Sequence, residues 1–374
     1  MTRIKYLVAA NERSFALDDE GIWAWGNLKF SSRMPEGADP ASWCAPTSAQ
    51  VGHHRYAQEM PVQMNLGKAQ WLGILDVGNT LLAWNKDAIY ALPPEVQEDE
   101  LAAMRAIPTS GLSFQRFWSG GQTLYGLTED GQLYGWVSVR NSAIKTALPQ
   151  RIQALQALKS MSVGAGHVLA IDGQGQLWTW GANAAGQLGL GHLAEQSQPQ
   201  RVAFDVPVRE VAAGSTHSLA LDSQGQLWGW GSNHWGQIGD KIPQAFIPLP
   251  QRIPMERRDF VQSLHAGMHV SAAVTRQGKV WTWGSNSLGQ LGQPHPQRST
   301  GVHRVEGLPE VSTLSVGATH MLALDRDGAC WAWGDNRHGA CQAAQAGQRI
   351  QLQPHKVRMA QTAKTVVKGE ELSV

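Results

Sequence analysis

The stretch Leu221–Gly239, LDSQGQLWGWGSNHWGQIG, recurs along the chain with few changes. Near-copies read IDGQGQLWTWGANAAGQLG at 171–189 and VTRQGKVWTWGSNSLGQLG at 274–292, and a fourth, LDRDGACWAWGDNRHGACQ, occupies 324–342. Their turn glycines, at 175, 225, 278 and 328, are separated by 50, 53 and 50 residues. A fixed period of this length is typical of repeat architectures. The sequence therefore predicts an array of similar units.

Fainter copies lie upstream. LDDEGIWAWG covers 17–26 and LTEDGQLYGW covers 127–136, while LLAWNKDAIYAL at 81–92 keeps the hydrophobic rhythm without the turn glycine. The 110 residues between Gly21 and Gly131 leave room for two periods of about 55. Seven units of about 53 residues then account for all 374 residues. We expect one domain over 1–374, with clear repeats at about 160–340 and degenerate ones at about 1–140.

Each unit predicts two regular strands joined by a tight turn. The segment GSTHSLAL is short and alternating, Asp222 opens the turn, Gly225 supplies a positive φ, and QLWGWG alternates again. The rest of the unit holds two less regular strands, which makes a four-stranded antiparallel blade. Seven such blades predict an all-β, seven-bladed β-propeller. The tail at about 364–374 restarts the pattern, so we expect its pairing with the N-terminal strands to close the ring and cover the sheet edges.

Tryptophan and glycine contents agree with this fold. The chain has 40 Gly and 16 Trp, and ten of the Trp form W-x-W pairs, which we assign to packing between blades. Charged residues are only 16%, below the roughly 25% usual in globular proteins. The aspartates that recur at the turn opening are expected to be structural; they are Asp18, Asp172, Asp222 and Asp325.

The string W-x-W-G-x-N-x-x-G-Q-L-G, preceded by G-x-x-H-S-L-A-L-D-x-x-G, closely resembles the repeat of the regulator of chromosome condensation family. The likeness is specific over 160–340 and weaker over 1–140, and the last copy departs at Ala340-Cys341-Gln342. The resemblance implies a seven-bladed propeller that binds other proteins through loops on one face. Members of the superfamily include a nucleotide exchange factor, modules of ubiquitin ligases, a plant UV-B photoreceptor and inhibitors of β-lactamases. Fold alone therefore does not select an activity.

Histidines recur at His167, His217 and His320, with His269 one position out of step. A ring of imidazoles is one interpretation. Successive blades, however, separate such side chains by more than the spacing of zinc ligands. We expect each histidine to bond backbone groups of a neighbouring turn, and we expect no metal. The glycine-rich runs lack the G-K-[ST] ending of a phosphate loop, and no catalytic motif is present. The sequence predicts a non-enzymatic protein without a cofactor.

The charge and the cysteine content indicate which classes of partner and which cellular compartment to expect. With 31 basic and 30 acidic residues the net charge is +1, which disfavours nucleic acid as a partner. The three cysteines suit neither a disulfide framework nor a C-x-x-C metal site, and the N-terminal segment lacks the apolar core of a signal peptide. We expect a monomer in the cytoplasm that does not contact membrane, with leaderless secretion as an effector as an alternative.

Specific contacts are expected where the chain departs from the repeat. Residues 27–70 and 93–108 are irregular, and a short amphipathic helix is predicted in the second segment. The loop tip between the repeat asparagine and glycine also varies from unit to unit. Exposed Trp and Arg side chains are common interface anchors. The predicted partner-binding residues are Trp43, His53, His54, Arg55, Trp235, Arg337 and His338.

The sequence thus favours a protein–protein interaction module. One alternative is a guanine-nucleotide exchange factor acting on a small GTPase, including one delivered as a bacterial effector. A second alternative is a proteinaceous inhibitor that covers an enzyme's active site. An inhibitor face is expected to concentrate Tyr and Trp, and the chain has only five Tyr. The inhibitor interpretation is therefore the least favoured.

Overall fold

The protein is all-β, in agreement with the sequence. The computed structural model describes residues 3–10, 13–18, 22–26, 62–64, 73–77, 80–84, 89–91, 105–120, 123–136, 148–153, 155, 157–239, 244–255, 260–294, 301–342 and 348–358. Its regular elements in these ranges are strands. Arg105–Ala106 is one of them, so the helix predicted over 93–108 is wrong at this end.

The strands form seven four-stranded sheets, each built from strands that are consecutive in sequence. Sheets 1 to 3 contain β1 (Tyr6–Ala9), β2 (Arg13–Leu17), β3 (Ile22–Gly26), β4 (Val62–Met64); β5 (Gly73–Val77), β6 (Thr80–Trp84), β7 (Ile89–Ala91), β8 (Arg105–Ala106); β9 (Phe114–Gly120), β10 (Thr123–Thr128), β11 (Leu133–Trp136) and β12 (Gln150–Ile152). Sheets 4 and 5 contain β13 (Leu158–Val163), β14 (His167–Asp172), β15 (Leu177–Gly181), β16 (Gln196–Val202); β17 (Val208–Ala213), β18 (His217–Asp222), β19 (Leu227–Ser232) and β20 (Phe246–Ile253). Sheets 6 and 7 contain β21 (Val261–Ala266), β22 (Val270–Thr275), β23 (Val280–Gly284), β24 (His303–Arg304); β25 (Val311–Val316), β26 (His320–Asp325), β27 (Cys330–Asp335) and β28 (Ile350–Lys356). Neighbouring strands pair antiparallel, which confirms the predicted blade type of a propeller.

The sheets contact one another in chain order through their first strands. β1 contacts β5, each following first strand contacts the next, and β25 contacts β1 again. Sheets 1 and 7 share a buried core that includes Leu7, Trp25 and Leu322. Each of these two sheets has four strands from its own part of the chain. The predicted closing strand at 364–374 lies outside the described residues, and its pairing stays a prediction.

In sheets 4, 5 and 7 an aspartate fixes the hairpin turn. Asp222 Oδ1 accepts the backbone N–H groups of Gln224 and Gln226 at 2.9 and 2.8 Å, and Gly225 has φ +82° at the end of the turn. The other carboxylate oxygen accepts the indole N–H of Trp228 at 2.9 Å. The same indole–carboxylate bond joins Trp23 to Asp18, Trp178 to Asp172 and Trp331 to Asp325. The structural role predicted for these aspartates is confirmed.

Sheet 6 lacks this bond. Thr275 stands at the turn opening, and the buried indole nitrogen of Trp281 has no hydrogen-bond partner. An unpaired buried N–H costs about 1–3 kcal/mol. The repeat therefore leaves a defined weak point in this sheet.

Replacing Thr275 with Asp is expected to raise the free energy of unfolding by about 0.5–1.5 kcal/mol, because it supplies the missing acceptor. Urea denaturation followed by circular dichroism measures the change. Asp222→Thr is the matched reverse change in sheet 5 and is expected to destabilise. If Thr275→Asp lowers stability, the assignment of the unpaired indole is incorrect.

The second tryptophan of each regular pair joins neighbouring sheets. Trp230 is fully buried and donates its indole N–H to the carbonyl of Gln187, on the preceding sheet, at 2.9 Å. Equivalent bonds run from Trp283 to Gln237, from Trp333 to Gln290 and from Trp25 to Ala340. First members also pack into cores shared by neighbouring sheets, as Trp23 and Trp178 do, so the assignment of the pairs to packing between blades agrees with the structure. In sheets 1, 4, 5 and 7 the first member additionally binds the aspartate of its own sheet.

The fourth copy of the repeat ends in Gln342 instead of glycine, and this substitution strains the backbone locally. Gln342 has φ +47°, at the position where Gly189, Gly239 and Gly292 also have positive φ. A side chain in this region costs of order 1–3 kcal/mol, which glycine avoids. The turn nevertheless forms, since Asn336 Oδ1 accepts the N–H of Cys341 at 2.9 Å.

Candidate protein-binding surface

Two sets of connections lie at the same end of every sheet. In an antiparallel meander the connection from the first to the second strand and that from the third to the fourth leave the sheet on one side. We call this side the upper face; it includes 214–216 and 233–239 of sheet 5 and 267–269 of sheet 6. The lower face carries the turns between second and third strands and the connections from one sheet to the next.

The loop tips of the upper face are built by side chains that do not depend on the tip residues. In sheet 5, Asn233 Oδ1 accepts the N–H of Ile238 and Gln237 Oε1 accepts the N–H of Trp235, both at 2.8 Å. In sheet 4 the same two bonds, at 2.9 Å, hold a tip that carries only alanine. The tip residues are Ala184-Ala185, His234-Trp235, Ser287-Leu288 and Arg337-His338 in sheets 4 to 7. These positions are free to vary without altering the turn.

Trp235 lies on the upper face with 44% of its surface exposed. Its ring lies 5.9 Å from that of His269, on the neighbouring sheet. The adjacent His234 contacts Phe246 edge-on, with ring centroids 4.8 Å apart. Phe246 and Met268 are 46% and 42% exposed. We call His234, Trp235, Phe246, Met268 and His269 the Trp235 patch.

His269 reaches this patch because sheet 6 shifts the repeat histidine by one residue. Val270 occupies the register position of His217, since Val270 pairs with Gly284 as His217 pairs with Gly231. Val270 is buried in an apolar cluster with Met321 and Trp333. The imidazole thus leaves the core at this sheet and lies beside Trp235. Burial lowers its pKa, so His269 is neutral at pH 7.

The other three repeat histidines each contact a serine of the next sheet, and we call each such contact a His–Ser clasp. Nε2 of His217 lies 2.9 Å from Oγ of Ser271, and this hydroxyl donates to the carbonyl of Gln237 at 2.7 Å. The pairs His167–Ser218 and His320–Ser14 are equivalent. The prediction that each histidine bonds backbone groups directly is wrong, because a serine hydroxyl lies between the imidazole and the turn carbonyl. Burial lowers the pKa of His167, His217 and His320 to about 4, 3 and 4.

No metal centre is evident in the described part of the chain. No group of three or more His, Cys, Asp or Glu side chains there is arranged to hold an ion. Cys330 and Cys341 are free and buried, and burial raises the pKa of the Cys330 thiol to about 12. Burial raises the pKa of the Cys341 thiol as well, so neither thiol is ionised at neutral pH.

The structure separates the predicted contact residues. Trp235 belongs to sheet 5, whereas Arg337 and His338 form the tip of sheet 7, so sheet 6 lies between them. Arg337 turns back onto its own loop and donates from Nε to both oxygens of Asp335 at 2.9 and 3.0 Å. Burial favours a higher pKa for Asp335, but these bonds and the charge of Arg337 outweigh it and lower the pKa. Trp43, His53, His54 and Arg55 lie outside the described residues.

Four members of the Trp235 patch are absent from the sequence-based set, namely His234, Phe246, Met268 and His269. The sequence does mark Met268 and His269 as unusual, because GMHV stands where the preceding unit has GSTH. Phe246 is not marked in this way, since its strand is irregular between repeats. Its position beside His234 is visible only in the folded chain.

Comparison with known proteins agrees with the fold. A family model described as RCC1-like domain matches residues 46–374. The human E3 ubiquitin-protein ligase HERC2 is 32% identical over 217 residues, which cover 54% of this chain and 4% of HERC2. The chain thus corresponds to a small part of that relative.

Two solved structures share the architecture. Human WBSCR16 aligns with a TM-score of 0.68 at 21% identity, covering 82% of this chain and 86% of that one. Prp20p from Saccharomyces cerevisiae, described with its binding to Gsp1p and histones, aligns with a TM-score of 0.61 at 18% identity. That alignment covers 96% of this chain and 78% of Prp20p. No helix in the described ranges has the length and apolar character needed to cross a membrane.

Proposed function

This chain belongs to the family of RCC1-like domains, and we propose that it is a non-enzymatic protein-interaction module that binds its partner through the Trp235 patch. The observation that carries this proposal is the exposure of Trp235, Phe246 and Met268 on one face, at positions that the repeat does not need. Clustered exposed apolar side chains mark interaction sites, and tryptophan is one of the residue types enriched among interface hot spots.

The roles of the other reactive side chains support a non-enzymatic function. His167, His217 and His320 are used in bonds between sheets. The repeat aspartates hold turns and indoles, and the two described cysteines are buried. These groups are engaged in the scaffold and are unavailable as acids, bases or nucleophiles.

The test uses a loop exchange that the chain itself offers. His234→Ala combined with Trp235→Ala gives sheet 5 the Ala-Ala tip of sheet 4, which keeps both loop hydrogen bonds. We expect the recovery of the partner from cells that naturally make the protein to fall at least about tenfold, or about 1.4 kcal/mol. Phe260→Ala, at a 60% exposed aromatic of the lower face, is the matched control and is expected to leave recovery unchanged. Loss of binding with Phe260→Ala alone places the contact on the other face.

Guanine-nucleotide exchange is the second candidate, on the observation that Prp20p, whose binding to Gsp1p has been described, has the same fold. In this case the partner is a small GTPase, and a loop of the propeller displaces its nucleotide. A GTPase loaded with fluorescent GDP then loses it faster when the protein is added, and the loop exchange slows that release. Unchanged release across a panel of GTPases eliminates this candidate and leaves the interaction module.

We also propose a compartment, an oligomeric state and a class of partner for this interaction. We propose a cytoplasmic monomer whose partner is a protein and not a nucleic acid or a membrane. The near-zero net charge supports this choice, because binding to phosphate backbones needs a basic surface.

A further inference from the structure

Away from the lower face, three kinds of hydrogen bond join consecutive sheets. The first kind is the His–Ser clasp. In the second kind, a side chain of one first strand accepts a backbone N–H of the next first strand, as Ser162 Oγ accepts the N–H of Ala213 at 2.9 Å. In the third kind, two upper connections bond to each other, as the N–H of Ala165 donates to the carbonyl of Gly214 at 3.3 Å. The junction between sheets 4 and 5 contains all three kinds.

These bonds are unevenly distributed from sheet 4 round to sheet 1. Sheets 5 and 6 also share all three kinds, and here Glu210 Oε1 accepts the N–H of Leu264 at 2.7 Å. Sheets 7 and 1 share two kinds, since Ser315 Oγ accepts the N–H of Ala9 at 2.9 Å in addition to their clasp. Among the described residues, sheets 6 and 7 share none of the three.

Sequence changes at this junction account for the missing bonds. Val270 and Met321 occupy the two clasp positions, and both side chains lie in an apolar cluster. His265 stands in the register position of Ser162, because each pairs with the third residue of its second strand. Nε2 of His265 lies 2.9 Å from Oγ of Ser263 on the same strand. His265 therefore bonds within its own sheet, where Ser162 bonds to the next one.

The lower end of the junction between sheets 6 and 7 is held by polar bonds. The N–H of Val311 donates to the carbonyl of Gly278 at 2.9 Å, and Nη2 of Arg326 donates to the carbonyl of Arg276 at 3.0 Å. Higher up, the indole bond of Trp333 and apolar packing remain. Apolar packing is non-directional, whereas hydrogen bonds favour one geometry. The lower end is thus anchored more firmly than the upper end.

From this uneven distribution we infer that the ring contains a seam, at which sheets 6 and 7 separate transiently at their upper end and turn about the bonds at their lower end. Local opening in a folded protein takes place where the fewest interactions must break. The seam opens toward the upper face, where Met268 of the Trp235 patch lies in a connection of sheet 6. Its existence is independent of whether that patch binds a partner.

Two cysteine probes measure opening at single junctions. Ala323 is fully buried in the apolar cluster between sheets 6 and 7, and Ala273 is fully buried at the equivalent position between sheets 5 and 6. We call Ala323→Cys the seam probe and Ala273→Cys the control probe. The thiol of the seam probe is expected to react with N-ethylmaleimide at least about tenfold faster, because its junction opens without three hydrogen bonds being broken. Mass spectrometry of proteolytic peptides identifies the labelled residue and separates it from the native cysteines.

Restoring the missing bonds is expected to close the seam. Val270→His combined with Met321→Ser copies the clasp of the preceding junction. We expect this double change to lower the labelling rate of the seam probe toward that of the control probe. His265→Ser copies Ser162 and is expected to act in the same direction. It provides the test if the double change prevents folding.

Two results overturn the inference: equal labelling rates at the two probes, or a fast rate at the seam probe that neither restoring change lowers. Equal rates mean that both thiols become accessible through the same opening, namely unfolding of the whole chain. Neither result bears on the contact at the Trp235 patch, which the loop exchange tests separately.

Discussion

Replacing Trp283 with alanine is expected to lower the free energy of unfolding by about 3–5 kcal/mol. The side chain is fully buried between sheets 5 and 6, in a core that includes Ile238 and Leu264. Its removal leaves a cavity and breaks the bond from its indole N–H to the carbonyl of Gln237, which measures 2.8 Å. Both losses act on the same junction between blades.

Urea denaturation followed by far-ultraviolet circular dichroism measures this effect without relying on tryptophan fluorescence. Trp235→Ala is the matched control, because it removes the same side chain from an exposed tip whose turn also forms with alanine. Its free energy of unfolding is expected to change by no more than about 0.5 kcal/mol. Similar losses of unfolding free energy for the two variants would falsify the division between tryptophans that pack between blades and Trp235 at its exposed tip.

Acid is expected to unfold the protein through its three clasping histidines. In the folded state burial lowers the pKa of His167, His217 and His320 to about 4, 3 and 4, whereas an unfolded histidine titrates near 6.5. Above about pH 6.5 the imidazoles are neutral in both states, and their contribution is fully present. Between about 6.5 and 4 the unfolded chain binds protons that the folded chain does not, so stability falls as the pH falls.

The junction between sheets 6 and 7 supplies the variant that isolates one clasp. His217→Val combined with Ser271→Met copies the Val270–Met321 pair. Between pH 6 and 4.5 the free energy of unfolding is expected to depend less steeply on pH in this variant, by the equivalent of up to one bound proton. His265, whose pKa burial also lowers to about 4, is present in both proteins and cancels in the comparison. An unchanged slope contradicts the role assigned to His217, whatever the variant's absolute stability.

The regular part of this fold could be predicted because each unit repeats the same solution. Asp222, Gly225 and Trp230 recur at fixed spacing, and each performs locally what its type suggests: opening a turn, taking a positive φ and filling the space between sheets. The His–Ser clasp could not be predicted in this way. His217 and Ser271 are 54 residues apart, and their pairing appears in the sequence only as the joint change to Val270 and Met321.

The candidate site was only partly predictable for the same reason. Trp235 stood out because an indole at a loop tip has no packing role in the repeat. Arg337 looked similar by position, but its guanidinium is engaged by Asp335, two residues away. Phe246 lies on an outer strand without a repeat pattern, so its contact with His234 depends on how the loop of sheet 5 returns to β20. Sequence spacing identifies the tip but not the side chains that gather around it.

We propose that a partner protein contacts the upper face at the Trp235 patch. Site-specific photo-crosslinking measures this most directly, with the photoreactive residue p-benzoylphenylalanine placed at Trp235 in one variant and at Phe260 in another. Irradiation of cells that naturally make the protein is expected to give a discrete crosslinked product from position 235 and none from 260. A product from 260 alone contradicts the claim.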